Sequence, residues 1–324
     1  GGFSLTGSSD PLIAAGSQLA VTGATGFIGS MLCAELLRRG FQVRALIRSP
    51  AQAKRLAEQG ASLVEGDLDD AAALRELVAG SAAVVHAAGA VRGSCQADFD
   101  RVNVAGTARL LDAVNSLGAN PRVLLLSSLA AREPELSWYA ASKRGAEQKL
   151  ADSGSQQDWI VLRPPAVYGP GDREMLPIFQ WMARGIAFVP GSPSARLSLI
   201  HVTDLVAAII ACLQAGAVRH RTLTLDDGKT RGYDWPELAE AAAATWGRPV
   251  RLWPVPAWLL DTAARLNLGL ASVTGKAPML TPAKLRELRH PDWVADNREI
   301  TTLTGWAPLT SLRQGLDQLR KAAL

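Results

Sequence analysis

The sequence predicts an α/β protein: a doubly wound parallel sheet with a smaller carboxyl-terminal substrate-binding lobe. Short, continuously apolar runs alternate with longer helix-like patterns through the first half, the habit of strands buried on both faces. A glycine-rich turn joins the first run to the first helix pattern. After about residue 165 Pro and Gly punctuate the chain, and eight of the nine Trp residues lie beyond residue 150.

LAVTGA (19–24), FQVRALI (41–47), SLVEG (62–66), AAVVHAA (82–88), RVLLLSS (122–128) and WIVLRP (159–164) read as strands. Between them, GSMLCAELLRRG (29–40) and VNVAGTARLLDAVNSLG (102–118) read as helices, the latter stopping at a glycine. Right-handed crossovers then put helices on both faces. The expected units are 1–18, a flexible leader; 19–165, the nucleotide-binding domain; and 166–324, the substrate lobe, with some elements returning to the sheet.

Composition narrows the functions. Among 324 residues, 48% are hydrophobic and 20% charged, as in a globular protein with a large core. No apolar run is long enough to span a bilayer. The net charge of +4 is mild and its basic residues are scattered, which argues against nucleic acid. Cys33, Cys95 and Cys212 form no paired motif, fit a reducing cytoplasm and read as small buried hydrophobes. Four histidines without ligand spacing predict no metal.

The first strand runs into TGATGFIGSML, giving Gly23, Gly26 and Gly29 at intervals of three. Glycines permit a tight turn, close approach of a pyrophosphate to backbone N–H groups, and close helix-to-strand packing. The helix starting near Phe27 aims its positive end at the same phosphates. Thr25, Phe27 and Ile28 share this loop and belong to the predicted cofactor site.

The glycine spacing, GDLDD (66–70), VVHAAGAV (84–91), VNVAGT (102–107), YAASK (139–143), RPPAVYGPGD (163–172), LIHVTDL (199–205) and TGWAPLTSLRQGL (304–316) together resemble the extended short-chain dehydrogenase/reductase family. The resemblance covers nearly everything from residue 19 and implies a Rossmann domain. It also implies that Asp67 and Leu68 touch adenine, that Ala87, Ala88 and Gly89 line the ribose and diphosphate path, and that Pro164 to Val167 pack against the nicotinamide. Helical segments 95–118 and 137–154 would form a homodimer face, as in relatives.

An NAD-selective site usually ends the second strand with a carboxylate for the ribose 2′-OH. Here Arg44 and Arg48 appear instead, with Arg48 at the tip, and a guanidinium fork suits a 2′-phosphate. NADP(H) is therefore expected over NAD(H).

Tyr139 and Lys143 stand four residues apart in a helical pattern and so share a face. An adjacent ammonium should favour the phenolate, letting Tyr139 shuttle a proton while hydride moves. Ser128, at a strand end, can hydrogen-bond the substrate oxygen, with Ser127 as companion; the two could trade roles, and the family pattern favours Ser128. The family also places a water-organising Asn at position 103. One departure is the connection between Ser128 and Tyr139, only ten residues long, which should leave the pocket open there or covered by another segment.

Nucleotide-sugar epimerases of this type commonly carry Asn where Ala166 stands, and an Arg where Leu197 stands, with Arg196 one place early. Arg184, Arg196 or Arg251 could substitute. The Trp- and Leu-rich remainder can line an apolar pocket or simply build core, and the apolar stretch 256–273 reads as a packed helix, with partner or membrane-surface contact as the alternative. Asp204 reads as structural, bridging the lobes. The expected function is NADP(H)-dependent oxidoreduction of a ketone, aldehyde or secondary alcohol, as in the dihydroflavonol-reductase and hydroxysteroid-dehydrogenase branch. The alternatives are a nucleotide-sugar epimerase or dehydratase and a nucleotide-bound protein without turnover.

Overall fold

In the computed structural model, which describes residues 10–278 and 280–322, each apolar run becomes a strand. They are β1 (Gln18–Thr22), β2 (Gln42–Ile47), β3 (Ser62–Glu65), β4 (Ala83–His86), β5 (Arg122–Leu126) and β6 (Trp159–Arg163). The connecting helices are α1 (Phe27–Arg38), α2 (Lys54–Glu58), α3 (Ala71–Val78), α4 (Gln96–Asp100), α5 (Gly106–Asn115) and α6 (Trp138–Asp152). A π-helical turn, Arg101–Ala105, joins α4 to α5.

The second half begins with β7 (Ala166–Tyr168), α7 (Leu176–Ala183), β8 (Ile186–Val189), β9 (Arg196–Leu197), β10 (Leu199–His201), α8 (Val202–Gln214) and β11 (Arg221–Thr224). It ends with α9 (Trp235–Trp246), β12 (Arg251–Pro254), α10 (Ala257–Thr274), α11 (Pro282–Arg289), β13 (Asp292–Trp293), α12 (Arg298–Thr304) and α13 (Leu312–Lys321). Seven strands form one parallel sheet in the order β3-β2-β1-β4-β5-β6-β11. That is the doubly wound nucleotide-binding order, extended by one strand.

Strand alternation divides the core. Leu19, Val21, Val85, Leu124 and Ile160 face a layer that includes Leu32 and Leu36 of α1 and Leu205 and Ile209 of α8. Ala20, Val84, Val123, Leu125 and Val161 face Leu74, Leu77, Leu110, Val114 and Leu150. A third cluster, with Tyr168, Phe179, Leu238 and Leu316, is the heart of the carboxyl-terminal lobe. Thus α8 and β11 serve the sheet, although the chain has already built part of the lobe before reaching them. Asp204, buried, accepts from the backbone N–H of Leu309 (3.0 Å) and Thr310 (2.9 Å), tying α8 to the segment before α13.

Three expectations need correction. Residues 1–9 of the expected leader lie outside the described residues, but 10–18 are held: Ile13 is buried, bonds Gln214, and Gln18 opens β1. An isoleucine beside the end of α8 finds more burial there than in water. The 256–273 stretch is helical, yet only Ala264 and Ala271 of α10 are buried; Leu260 and Leu268 are half-buried and its other large apolar side chains are exposed. Cys33 and Cys212 are buried, their thiols pushed up to about 12 by desolvation, whereas Cys95 is exposed at the cap position of α4. Among the described residues no helix is long and apolar enough to cross a membrane, and no cluster of His, Cys, Asp or Glu could hold a metal.

Candidate active site

The predicted site residues gather at the carboxyl ends of the parallel strands, around the switch point between β1 and β4 where the strand order reverses. Gly23 has φ +69°, and a Cβ there would lie 2.6 Å from Ala87 C and Ala88 N. A Cβ on Gly29 would meet the Gly23 carbonyl. Gly26 caps α1 without a side-chain hydrogen bond, and the first turn carries no acidic residue. The helix end therefore offers free N–H groups and positive potential, with Thr25 and Gly26 exposed and Phe27 and Ile28 half-buried beside them. A dinucleotide's diphosphate fits this cradle, which a side chain would fill.

Arg48 follows β2 directly and is exposed. Arg44 does not belong to the site: its guanidinium donates to Glu76 O (2.7 Å) and Ala79 O (2.9 Å), the free carbonyls ending α3. Asp67 is exposed after β3, while Leu68 packs where a Cβ on Gly106 would sit 2.7 Å from its Cδ1.

Behind Ala87–Gly89 lies a buried relay that the sequence did not announce. The Ala88 N–H donates to Thr22 Oγ1 (3.1 Å), which meets His86 Nδ1 (2.6 Å). His86 Nε2 meets Thr107 Oγ1 (3.0 Å), which donates to Asn103 O (2.7 Å). Because Thr107 Oγ1 spends its proton on Asn103 O, it accepts from His86 Nε2–H, and the Thr22 hydroxyl can donate to Nδ1 of a neutral imidazole. Burial and the nearby Lys143 charge push the His86 pKa down to about 3, in agreement.

The Asn103 carboxamide accepts from Ala90 N (2.7 Å) and donates to Ala90 O (3.0 Å) and Ser142 Oγ (2.8 Å). Its side chain thus bridges the β4 loop and α6. A Cβ on Gly89 would approach both Lys143 Nζ (3.0 Å) and Asn103 Oδ1 (3.2 Å), so the loop passes close over both.

On α6, capped by Ser137 Oγ on Ala140 N (3.0 Å), Tyr139 and Lys143 project together. Lys143 Nζ stands 5.9 Å from the Tyr139 ring centre and donates to Leu126 O (3.2 Å). Burial draws its pKa down to about 8, opposed by Glu147. Tyr139 is shifted the other way. Its phenol is held above its ordinary value, by burial first and then by the Glu287 and Glu174 carboxylates, with the Ser128 hydroxyl acting the other way. A phenol held above its ordinary value near 10 carries its proton at neutral pH and can give it to a substrate oxygen.

Ser128 caps a short 3-10 turn, Leu129–Arg132, through Ala130 N (3.1 Å) and lies beside Tyr139. Ser127 turns away: its hydroxyl donates to Glu147 Oε2 (2.6 Å), and Glu147 is paired with Arg163 (2.5 Å). Neighbouring residues at a strand end point to opposite sides, so the two serines cannot exchange roles. Pro164 and Val167, after β6, complete the rim, and Pro164 O receives Leu129 N (2.9 Å).

The short connection before Tyr139 is covered from the carboxyl-terminal half. Ser137 Oγ donates to Glu287 Oε2 (2.7 Å), Arg286 Nε to Leu136 O (3.2 Å), and Lys284 Nζ lies 5.4 Å from the Tyr139 ring centre. Val91, Phe99, Trp138, Tyr139, Pro278 and Lys284 wall a small cavity there, with Ser137 and Thr281 adding hydroxyl groups to its lining.

Known proteins resemble this chain in sequence and fold. The model of the NAD dependent epimerase/dehydratase family matches residues 19–223. A ceramide reductase of Caulobacter vibrioides is 36% identical over 277 residues, 85% of this chain and 85% of its own. A putative dihydroflavonol 4-reductase of Synechocystis sp. is 29% identical over 283 residues, 80% of this chain and 81% of its own. Among solved structures, MoeE5 in complex with UDP-glucose and NAD superposes with a TM-score of 0.71 at 25% identity, over 95% of this chain and 100% of that one. A glycine cradle at the switch point and a match spanning the whole parallel sheet lead to one conclusion: the chain belongs to the NAD dependent epimerase/dehydratase family and is an NAD(P)-dependent enzyme of the short-chain dehydrogenase/reductase superfamily.

Proposed function

We propose that the protein is an NADP(H)-dependent reductase of a ketone or aldehyde carried on an apolar molecule, running in reverse on the secondary alcohol. The observation that carries this reading is Tyr139 on the wall of a cavity, with Lys143 on the same helix and the Ser128 hydroxyl beside it. When bound, a reduced nicotinamide supplies the hydride. Ser128 holds the substrate oxygen by a hydrogen bond. Tyr139 gives that oxygen its proton as negative charge develops, and Lys143 steadies the phenolate left behind. Asn103 and the His86 relay hold the loop and helix in register while this happens.

The two dinucleotides are distinguished by Arg48, the exposed guanidinium at the end of β2, where no carboxylate meets the ribose. Ser49 beside it leaves its hydroxyl unused by the turn it caps, a second donor for a 2′-phosphate. The absence of sugar-nucleotide anchors supports the apolar substrate. Ala166 presents a methyl, and Arg196 is bound to Arg231 O (2.7 Å), Gly232 O (3.1 Å) and Glu237 (2.9 Å). The reductases among its relatives, one of them named for ceramide, point the same way.

The test is NADPH absorbance against a panel of long-chain ketones and sugar nucleotides. Stoichiometric NADPH loss with an apolar ketone is expected. Interconversion of a sugar nucleotide without net cofactor change would assign the epimerase reaction instead, the chemistry suggested by the likeness to a structure holding UDP-glucose.

A further inference from the structure

Helix α10 turns most of its large apolar side chains outward. Trp258 (68% exposed), Leu259 (46%), Leu266 (62%), Leu270 (60%) and Val273 (84%) lie along its outer side, the last three at intervals of four and three. Large apolar groups at such exposure, aligned on one face, mark a surface built to be covered. The strand leading into the helix continues the theme. Trp253 (56%) of β12 is the register partner of Phe188 (43%) of β8, and Trp181 (42%) stands edge-on to Phe188 at 5.2 Å.

The charge around this surface selects its partner. Arg248, Arg251, Arg265 and Lys276 are all exposed, and the only acidic residue between 248 and 278 is Asp261, which is paired with Arg289 (3.0 Å). Arg184 lies over the Trp181 ring at 5.3 Å. Two copies meeting through this face would set like charges against each other. An anionic lipid surface would meet them with opposite charge, and aromatic rings with arginines suit the headgroup level. The helix is not a spanning segment.

The same helix leads to the site. An open groove of about 320 Å³ runs beside its carboxyl end, lined by Leu270, Ala271, Thr274, Pro278 and Leu280. Pro278 also walls the cavity that contains Tyr139.

We propose that the outer face of α10, with the Trp253–Phe188 ribbon, docks on an anionic lipid bilayer with the helix lying in the membrane plane. The substrate's apolar chain then passes from the bilayer along the groove and past Pro278 to Tyr139. The passage rests on the apolar-carbonyl reading above; the docking does not.

Co-sedimentation of the full chain with vesicles of phosphatidylcholine alone, or with added phosphatidylglycerol, tests the docking. Binding at least about tenfold stronger to the phosphatidylglycerol vesicles, weakening as salt rises, is expected. The double variant Leu266→Glu, Val273→Glu should lose about tenfold or more of that binding while keeping its melting temperature and its NADPH affinity. Wild-type protein that stays in the supernatant with phosphatidylglycerol vesicles overturns the proposal. So does a dimer by light scattering that the double variant converts to monomer, since a second copy would then cover the face. Vesicle binding by a protein that reduces no carbonyl would leave the docking standing and remove the substrate reading. Loss of turnover in the double variant on a bilayer-embedded ketone, with a short water-soluble ketone unaffected, supports both.

Discussion

At the amino end of α1 the chain works through its backbone. Gly23 and Gly29 leave no room for a side chain, and the free N–H groups of one helix turn supply the chemistry. Around Tyr139 it works through side chains gathered from far apart: Ser128 after β5, Lys143 on α6, and Lys284 and Glu287 on α11. The nucleotide end needs only a strand, a turn and a helix that adjoin in sequence. The proton end needs the carboxyl-terminal half folded onto the first. Substitutions should therefore separate cofactor binding from turnover, and the ends can be set against each other experimentally.

The largest separation is expected from Tyr139→Phe, which should lower turnover by about 10²–10⁴-fold while NADPH titration is unchanged. Retained turnover would mean that the proton comes from elsewhere. Gly23→Ala should do the opposite kind of damage. Its Cβ would lie 2.6 Å from Ala87 C in a left-handed backbone, costing about 2 kcal/mol or more in stability and displacing the phosphate cradle. Thermal unfolding and cofactor fluorescence read both effects, and wild-type values in each would break the division.

Arg48→Glu sharpens the nucleotide end. NADPH affinity should fall about 10–100-fold, the worth of a lost charge-assisted hydrogen bond, with NADH affinity little changed. Equal loss of both would show that Arg48 does not touch the 2′-phosphate. The smallest effect concerns pH. Burial lowers the Lys143 pKa from 10.5 to about 8, so the ammonium is present below that value and lost as pH rises through it. The rate should fall above pH 8 by up to about tenfold per unit, and Lys143→Arg should move that limb upward.

Reading the sequence against the structure shows the same division. The glycine turn, the strands and the Tyr139–Lys143 pair are local patterns, and the periods of strand and helix place them without tertiary knowledge. The surroundings of Tyr139 are not local: Glu287 lies far along the chain, and no spacing rule brings it near. Arg44 and Arg48 look alike in sequence, yet only the structure shows Arg44 spent on the end of α3. The Ser127 orientation was readable, since strand alternation forbids adjacent residues from facing one cleft. His86, Thr22 and Thr107 carried no signal beyond their being polar residues in or beside apolar segments; their meaning is the relay they form. The α10 face was legible as apolar but not as exposed, because a hydrophobic stretch does not say which side it turns inward.

The return of α8 and β11 to the sheet has a consequence for how this protein can change. The polypeptide leaves the sheet after β6, comes back for its seventh strand, and departs again before Ile300 and Trp306 rejoin the layer beneath α1. No single joint separates the halves, so neither is an excisable module. Truncation near residue 200 would strip the sheet's outermost strand and the helix that backs α1. New specificity is therefore more readily grafted by exchanging individual pocket side chains than by swapping one lobe for another.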